Sequence, residues 1–344
     1  MNNREQILTF IASHPKCSST DVFEGAGVDA AYATIRRELA KLVADNLVVV
    51  TGKAKASRYA VSPSFVLLTE VDVAEYFKRD IDERQINPTY NFELLATLSA
   101  TESLFKKSEL DHLNALKATF RNNISVLSTA AYHNEMERLG IDLSWKSSQI
   151  EGNTYSLLET ERLLKARETA QGKSKDEAVM LLNHKDALDF ILNTPDYLAE
   201  LSVAKLENIH SILIKELPVE RNIRIRRVGI TGTNYRPLEN EFQIREALEA
   251  ACRLINAREN IFEKALLVLL LLSYIQPFYD GNKRTARIVS NAILIANGYC
   301  PISFRTVDSI DYKMAMLLFY EQNNISVFKR IFIEQFEFAV ATYF

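Results

Sequence analysis

The run Ala265–Leu272, ALLVLLLL, is the longest uninterrupted apolar stretch of this chain. Apolar on every side, it has no face to turn to water and must be surrounded by other elements. A bilayer-spanning helix needs about 20 such residues, so the run predicts a buried core helix and no membrane association. The rest of the 344-residue chain has to enclose it. The composition allows this, with 47% hydrophobic residues, 25% charged, and only 10 Gly and 8 Pro to interrupt helices. These values describe an ordinary globular protein with a helical lean, and the length predicts two or three domains.

Charge and cysteines narrow the classes further. A formal net charge of −3 is too small for binding nucleic acid or membrane by bulk charge alone. Cys17, Cys252 and Cys300 are odd in number and far apart. They form neither a disulfide framework nor a zinc site, which predicts a reducing, cytoplasmic setting. The first residues, MNNREQILTFIASH, hold too short an apolar patch for a signal peptide.

Residues 1–62 read as one small unit. Ile7, Leu8, Phe10 and Ile11 share a helix face. Ser18–Asp21 starts a second short helix, which Gly25-Ala26-Gly27 ends. Asp29 is the expected cap of a third, with Tyr32, Ile35, Leu39, Leu42 and Val43 at helical spacing. LVVV, a Gly-Lys-Ala-Lys-Ala turn and SRYAV then predict a two-stranded hairpin. Three helices followed by a hairpin is the order of a winged helix-turn-helix, which this stretch resembles from end to end. The unit carries +2, the remainder −5. The resemblance implies Thr34, Arg36 and Arg37 in a DNA major groove, with Lys53, Lys55 and Arg58 of the wing on phosphates. Protein contact or dimerisation is the alternative use of such a module.

Pro63 punctuates the end of this unit. From about 66 to 200 the pattern is mostly helical, with turns at Asn87-Pro88 and Thr194-Pro195-Asp196. A further helix, VAKLENIHSILIKEL, stops at Pro218. The basic stretch RNIRIRRVGITGTNYRP follows. Val228 and Ile230 alternate with small residues and Gly232 offers a turn, which predicts a short β-hairpin. Helices then resume to the C-terminus, and no internal repeat is present.

The chemistry is concentrated in Gln276-Pro277-Phe278-Tyr279-Asp280-Gly281-Asn282-Lys283-Arg284-Thr285-Ala286-Arg287. A long buried helix ends near Pro277, and a new one starts near Asn282. Its N-terminus presents unpaired backbone N–H groups and a partial positive charge. Gly281 lets a ligand approach the backbone. Lys283, Arg284 and Arg287 gather cations at the same point, and the two arginines share a helix face. Together these make a polyphosphate site, beside which Asp280 could hold a Mg²⁺.

The stretch resembles the signature of the Fic (fido) family, His-Pro-Phe-x-Asp/Glu-Gly-Asn-Gly/Lys-Arg-x-x-Arg. Pro277, Phe278, Asp280, Gly281, Asn282, Arg284 and Arg287 match strictly, and Lys283 is an accepted variant. At usage of about 5% per residue, chance agreement is on the order of 10⁻⁹ per window. Two further segments agree. Residues 226–237, with Val228, Gly229, Ile230, Thr231 and Gly232, resemble the family's flap, a hairpin that docks a target's main chain by strand addition. Ser147-Ser148-Gln149-Ile150-Glu151-Gly152 resembles its inhibitory helix, and Ser147 and Glu151 share a helix face.

The resemblance covers roughly 140–340. It implies a mainly α protein: an all-α Fic core with a short β-hairpin flap, behind a small N-terminal winged-helix domain. The implied layout is a winged helix over 1–62, a helical region over 63–200 with the inhibitory helix around 143–153, and a Fic core over 201–344. The implied activity is transfer of AMP from ATP to a hydroxyl side chain of a protein target, although some members move phosphocholine, UMP or phosphate. Asp280 would bind Mg²⁺. Gly281, Asn282 and Lys283 would line the phosphate nest. Arg284 would hold the α/β-phosphates and Arg287 the γ-phosphate, and Glu151 would take Arg287 to hold the site off. The implied partners are ATP, the protein target, and DNA through residues 1–62. A homodimer is left open.

One position departs from the signature. Where the family carries its general-base histidine, this chain has Gln276. An amide does not titrate near neutral pH and cannot take a proton from an attacking hydroxyl. The sequence therefore keeps the parts that bind nucleotide and lacks the part that deprotonates the acceptor. His210 lies among Ile209, Ile212 and Leu213 and reads as structural; His184 lies on a charged helix; His14, His112 and His133 mark no site. Three readings follow: a nucleotide-binding Fic protein with impaired or retuned catalysis, an active adenylyltransferase using another base, and a DNA-binding regulator whose Fic core senses nucleotide.

Overall fold

A computed structural model describes residues 2–62 and 64–344, with the side chain of Lys55 outside the described residues. Pro63, the expected punctuation, lies outside them as well.

The first unit comprises α1 (Asn3–Ser13), α2 (Ser19–Gly25), α3 (Tyr32–Ala44), β1 (Val48–Thr51) and β2 (Arg58–Val61). Asn2 with Glu5 and Ser18 with Asp21 form capping boxes that start α1 and α2. The third helix differs from expectation: its N-cap is Ala31, without a side-chain bond, and not Asp29. β1 and β2 pair antiparallel from Val48↔Val61 to Thr51↔Arg58. Tyr59 N also donates to Cys17 O, which ties the hairpin to the start of α2.

The connecting segment is less helical than its pattern suggests. Among the described residues it holds only α4 (Phe65–Leu68), α5 (Val73–Phe77) and α6 (Leu94–Ala100). Asp72 is the reason for the break, because its carboxylate accepts from Glu75 N and starts a new helix there. Residues 78–93 are irregular and run along the core.

The main body contains α7 (Lys107–Ser125), α8 (Thr129–Ile150), α9 (Leu157–Ala166), α10 (Lys175–Asn193), α11 (Val203–Leu213) and α12 (Glu241–Ala257). It continues with α13 (Ile261–Ile275), α14 (Asn282–Ala296), α15 (Ser309–Gln322) and α16 (Ser326–Tyr343). The apolar run sits in α13, with 13 of its 15 residues buried. Its buried carboxylate, Glu263, is matched by Arg258 at 3.3 Å and by the backbone N–H of Leu104 at 2.8 Å. α14 lies against α13, and α10, α11 and α8 pack on α14. The structure is mostly helical, and β1–β2 is the only sheet among the described residues.

The candidate nucleotide site

α13 ends at Gln276, which adopts left-handed dihedrals (φ 51°, ψ 58°). The loop it enters is held from three sides. Arg224 is buried and its Nε donates to Gln276 O at 2.6 Å, while its backbone N–H donates to Pro277 O at 2.9 Å. Asn282 closes the loop from within: Oδ1 accepts from Phe278 N at 2.9 Å, and Nδ2 donates to Phe278 O at 2.8 Å and to Gln276 Oε1 at 2.9 Å. The third support is His210. Its ring stacks on Phe278 with centroids 3.7 Å apart, and its two nitrogens face Asp280 O at 2.9 Å and Arg221 O at 3.2 Å. Burial pushes His210 down to about 4 against the pull of those carbonyls, so the ring is neutral at physiological pH.

Gly281 then turns the chain into α14 at φ 81°, where a Cβ would stand 3.3 Å from the His210 ring. Only glycine meets both demands without strain. The first turn of α14 leaves its backbone N–H groups pointing back at the loop.

Arg284 and Arg287 rise from that turn with no solvent exposure. Arg284 Nη2 donates to Asp280 Oδ2 at 2.9 Å, and its Nε and Nη1 have no partner among the described residues. Arg287 is taken up by the end of α8. Its Nε donates to Ser147 Oγ at 2.9 Å, and its Nη2 to Ser147 O at 2.9 Å and to Glu151 Oε1 at 2.8 Å. Lys283 Nζ reaches Glu151 Oε2 at 3.2 Å. Burial alone would raise the Glu151 carboxyl, but Arg287 and Lys283 hold it down at about 2. Glu151 is the C-cap of α8, and Gly152 follows at φ 99°. The expected inhibitory segment is thus the end of a 22-residue helix that begins at Thr129.

A cavity of about 360 Å³ opens beside this arrangement, lined by Glu151, Gln276, Lys283, Tyr320 and residues Gly229–Thr231, with Asp280, Arg284 and Arg287 outside its lining. Lys313 of α15 also lines it, a residue that no motif in the sequence marks.

The flap corrects an expectation. Residues 226–237 form a turn at Thr231–Gly232 but no paired strands. Their hydrogen bonds go elsewhere. Ile225 and Arg226 donate through their backbone N–H groups to Tyr279 Oη, and Arg236 N donates to Pro88 O at 3.0 Å. Arg84 Nη2 holds Gly232 O at 2.8 Å. The second arm is therefore bridged in parallel to Thr89 of the connecting segment, not to the first arm. Val228 and Ile230 are half-buried, and Gly229, Thr231 and Gly232 are exposed.

His184 lies on the charged helix α10, as expected. His184 itself is fully buried, and neither ring nitrogen has a partner among the described residues. Burial, then Arg287 and Arg284, push its titration well below the usual range. It forms part of the packing behind the arginines.

Asp280 is about half exposed, with Oδ1 accepting from Gly281 N and Oδ2 from Arg284. No cluster of three or more metal-binding side chains exists among the described residues. A single exposed carboxylate beside a helix N-terminus fits Mg²⁺, which binds through one or two carboxylates plus substrate phosphates.

The DNA-facing candidates lie apart from this cavity. Arg36 and Arg37 are exposed on α3, Thr34 is half-buried, and Lys53 and Arg58 are exposed on the hairpin. No residue of 1–62 lines the cavity.

Residues 200–294 match the profile of the Fic/DOC family. The chain is 25% identical over 308 residues to the protein adenylyltransferase Fic of Drosophila erecta, covering 83% of this chain and 61% of that one. It is 31% identical over 173 residues to the protein adenylyltransferase Fic of Nematostella vectensis, covering 49% and 40%. The chain thus spans less than two thirds of the length of these relatives. Among solved structures, Fic-1 (residues 134–508) from C. elegans superposes with a TM-score of 0.61 at 20% identity, over 73% of this chain and 80% of that one. A Fic family protein from Desulfovibrio desulfuricans G20 gives 0.56 at 17% identity, over 70% and 74%. At these identities the structures speak for the fold alone. Residues 200–294 are a Fic/DOC family domain, set in a mostly helical chain that shares its fold with solved Fic proteins.

Proposed function

We propose that this protein binds ATP with Mg²⁺ at Asp280–Arg287 as a protein adenylyltransferase-like Fic protein, held off by Glu151 and impaired in transfer by Gln276. Arg284 carries the reading. A fully buried guanidinium with two N–H groups unmatched among the described residues is costly unless an anion fills the place. The N-terminus of α14 favours negative charge at the same point. Mg²⁺ on Asp280 would neutralise part of the phosphate charge.

The chain's own groups define what transfer would require. A protein hydroxyl would attack the α-phosphorus and pyrophosphate would leave, with the hydroxyl proton passed to a base. Gln276 cannot take it: its Oε1 accepts from Asn282 and its Nε2 donates to Ser273 O at 2.7 Å. Glu151 meanwhile occupies Arg287, the partner assigned to the γ-phosphate. Titration calorimetry with ATP and Mg²⁺ should show Arg284→Ala at least tenfold weaker than wild type, as one charge-assisted hydrogen bond is worth about 1.5–3 kcal/mol. Equal affinities would place the nucleotide elsewhere.

A second reading, a DNA-binding winged helix-turn-helix over 1–62 with the Fic domain as nucleotide sensor, is favoured by Arg36 and Arg37. Both stand exposed on α3 with no ion-pair partner within 4 Å among the described residues. In a gel shift with genomic fragments, binding should fall steeply with salt and weaken in Arg36→Ala and Arg37→Ala. DNA binding that survives removal of residues 1–62 would refute it.

A further inference from the structure

A second concave surface lies on another face of α15, between the connecting segment, the start of that helix and α16. It has two lobes of about 640 and 850 Å³, which share Val71, Asp72, Val327, Arg330 and Glu334. Its floor is apolar, with Val73, Val307, Met314 and Ile331 in the larger lobe.

The rim of the larger lobe is one-sided in charge. Asp72, Asp308, Asp311 and Glu334 face a single guanidinium, Arg330, which lies 3.9 Å from Glu334. The cations of the smaller lobe are committed, Lys106 to Glu70 and Lys329 to Glu109, each at 2.7 Å. Asp72, Asp308 and Asp311 are exposed, and none has an ion-pair partner within 4 Å among the described residues. Asp72 and Asp308 use one oxygen each to cap α5 and α15, which leaves their other oxygens open.

A second observation is independent of this charge. Gln335 lines the same lobe at 4% exposure. Its Nε2 donates to Thr306 Oγ1 at 2.9 Å, and its Oε1 has no partner among the described residues. A buried carbonyl oxygen in a groove calls for a donor from the occupant.

We propose that this groove binds a basic, extended segment of a partner protein. An arginine fits the larger lobe best. Its apolar stem would lie over Val307 and Ile331, and its guanidinium would face the aspartates and donate to Gln335 Oε1 once that side chain, whose oxygen is closed to solvent in the free chain, turns toward the groove. Further basic residues would follow the acidic rim into the smaller lobe. Nucleic acid is repelled by the same carboxylates. The proposal does not depend on nucleotide binding at Asp280–Arg287.

The deciding experiment is fluorescence anisotropy of a labelled peptide of alternating arginine and alanine, eight residues long, with the full chain. Wild type should bind it saturably, and a matching glutamate peptide should not bind. The variant carrying Asp72→Asn, Asp308→Asn and Asp311→Asn keeps both helix caps and should lose at least tenfold in affinity. Gln335→Met, close in shape, should lose severalfold through the missing acceptor. Circular dichroism would establish that each variant is folded. Peptide affinity unchanged in the folded triple variant would overturn the proposal. So would affinity unchanged in folded Gln335→Met, because bulk attraction to an acidic surface would then suffice.

Discussion

Gln276→His combined with Glu151→Gly should turn on AMP transfer by roughly 10²–10⁴-fold, the usual contribution of a positioned general base. The substitution suits the backbone. Residue 276 sits at φ 51°, a region in which histidine is more common than most side chains. Ser273 O, which now accepts from Gln276 Nε2, can accept an imidazole N–H and so leave the other ring nitrogen free to take the proton. Glu151→Gly frees Arg287 and Lys283 for phosphate, since Glu151 now engages both. Labelling with [α-³²P]ATP, on the protein itself and on lysate, gives the readout. Wild type should show little or no label, and the double variant should show it in an Asp280-dependent manner. A silent double variant that still binds ATP would mean that another group is transferred or that the domain only senses nucleotide. Strong labelling by wild type that survives Gln276→Ala would mean that another residue is the base.

Most of the candidate site is legible in the sequence because its parts are close together there. Asp280, Gly281, Asn282, Arg284 and Arg287 lie within eight positions, so one loop and one helix start bring them together whatever surrounds them. Glu151 is distant in the chain, and only the family resemblance links it to Arg287, which the structure places at 2.8 Å. The supports of the loop leave no such trace. Arg224 looks like one of several basic residues in an irregular stretch, yet it is buried against the carbonyl of Gln276. The apolar neighbours of His210 mark it as structural, which does not disclose that it holds the carbonyl of Asp280.

Long-range packing accounts for what local patterns leave out. The alternation of Val228 and Ile230 signals extended chain but cannot say which chain will pair with it. Here the second arm, at Arg236, is what pairs with the segment around Pro88 and Thr89, and Arg84 ties the turn down. His184 follows Asn183 and precedes Lys185 and Asp186, neighbours that do not disclose its burial. α8 and α10 approach closely at Gly140, where a Cβ would stand 2.8 Å from Leu188. α10 also packs on α14, the helix that carries Arg284 and Arg287. The N-terminal unit of three helices and a hairpin is more legible, since each of its helices and turns is specified locally. Even there, the cap lies at Ala31 and not at Asp29.

Phe278→Ala should be the most destabilising single change in the signature loop. The ring is fully buried and lies flat on His210, with 4° between the planes. Truncating a buried Phe costs about 3–5 kcal/mol, since neighbours relax only partly into the void. At about 2–4 °C per kcal/mol for domains of 150–250 residues, scanning calorimetry should show the main transition lowered by on the order of 10 °C. The hydrogen bonds of Asn282 go to the backbone of residue 278, so they survive the truncation and the loop keeps its outline. His210 loses the surface that fixes its ring, and with it the grip on Asp280 O. Phe278→Leu refills part of the void and should recover about half of the loss. ATP binding at a temperature where both variants are folded separates the two roles of the ring. If stacking on His210 positions Asp280, Phe278→Leu should bind more weakly than wild type even at a temperature where it is fully folded. Equal binding would make Phe278 a core anchor and nothing more, and a transition within about 2 °C of wild type in Phe278→Ala would contradict the packing described here.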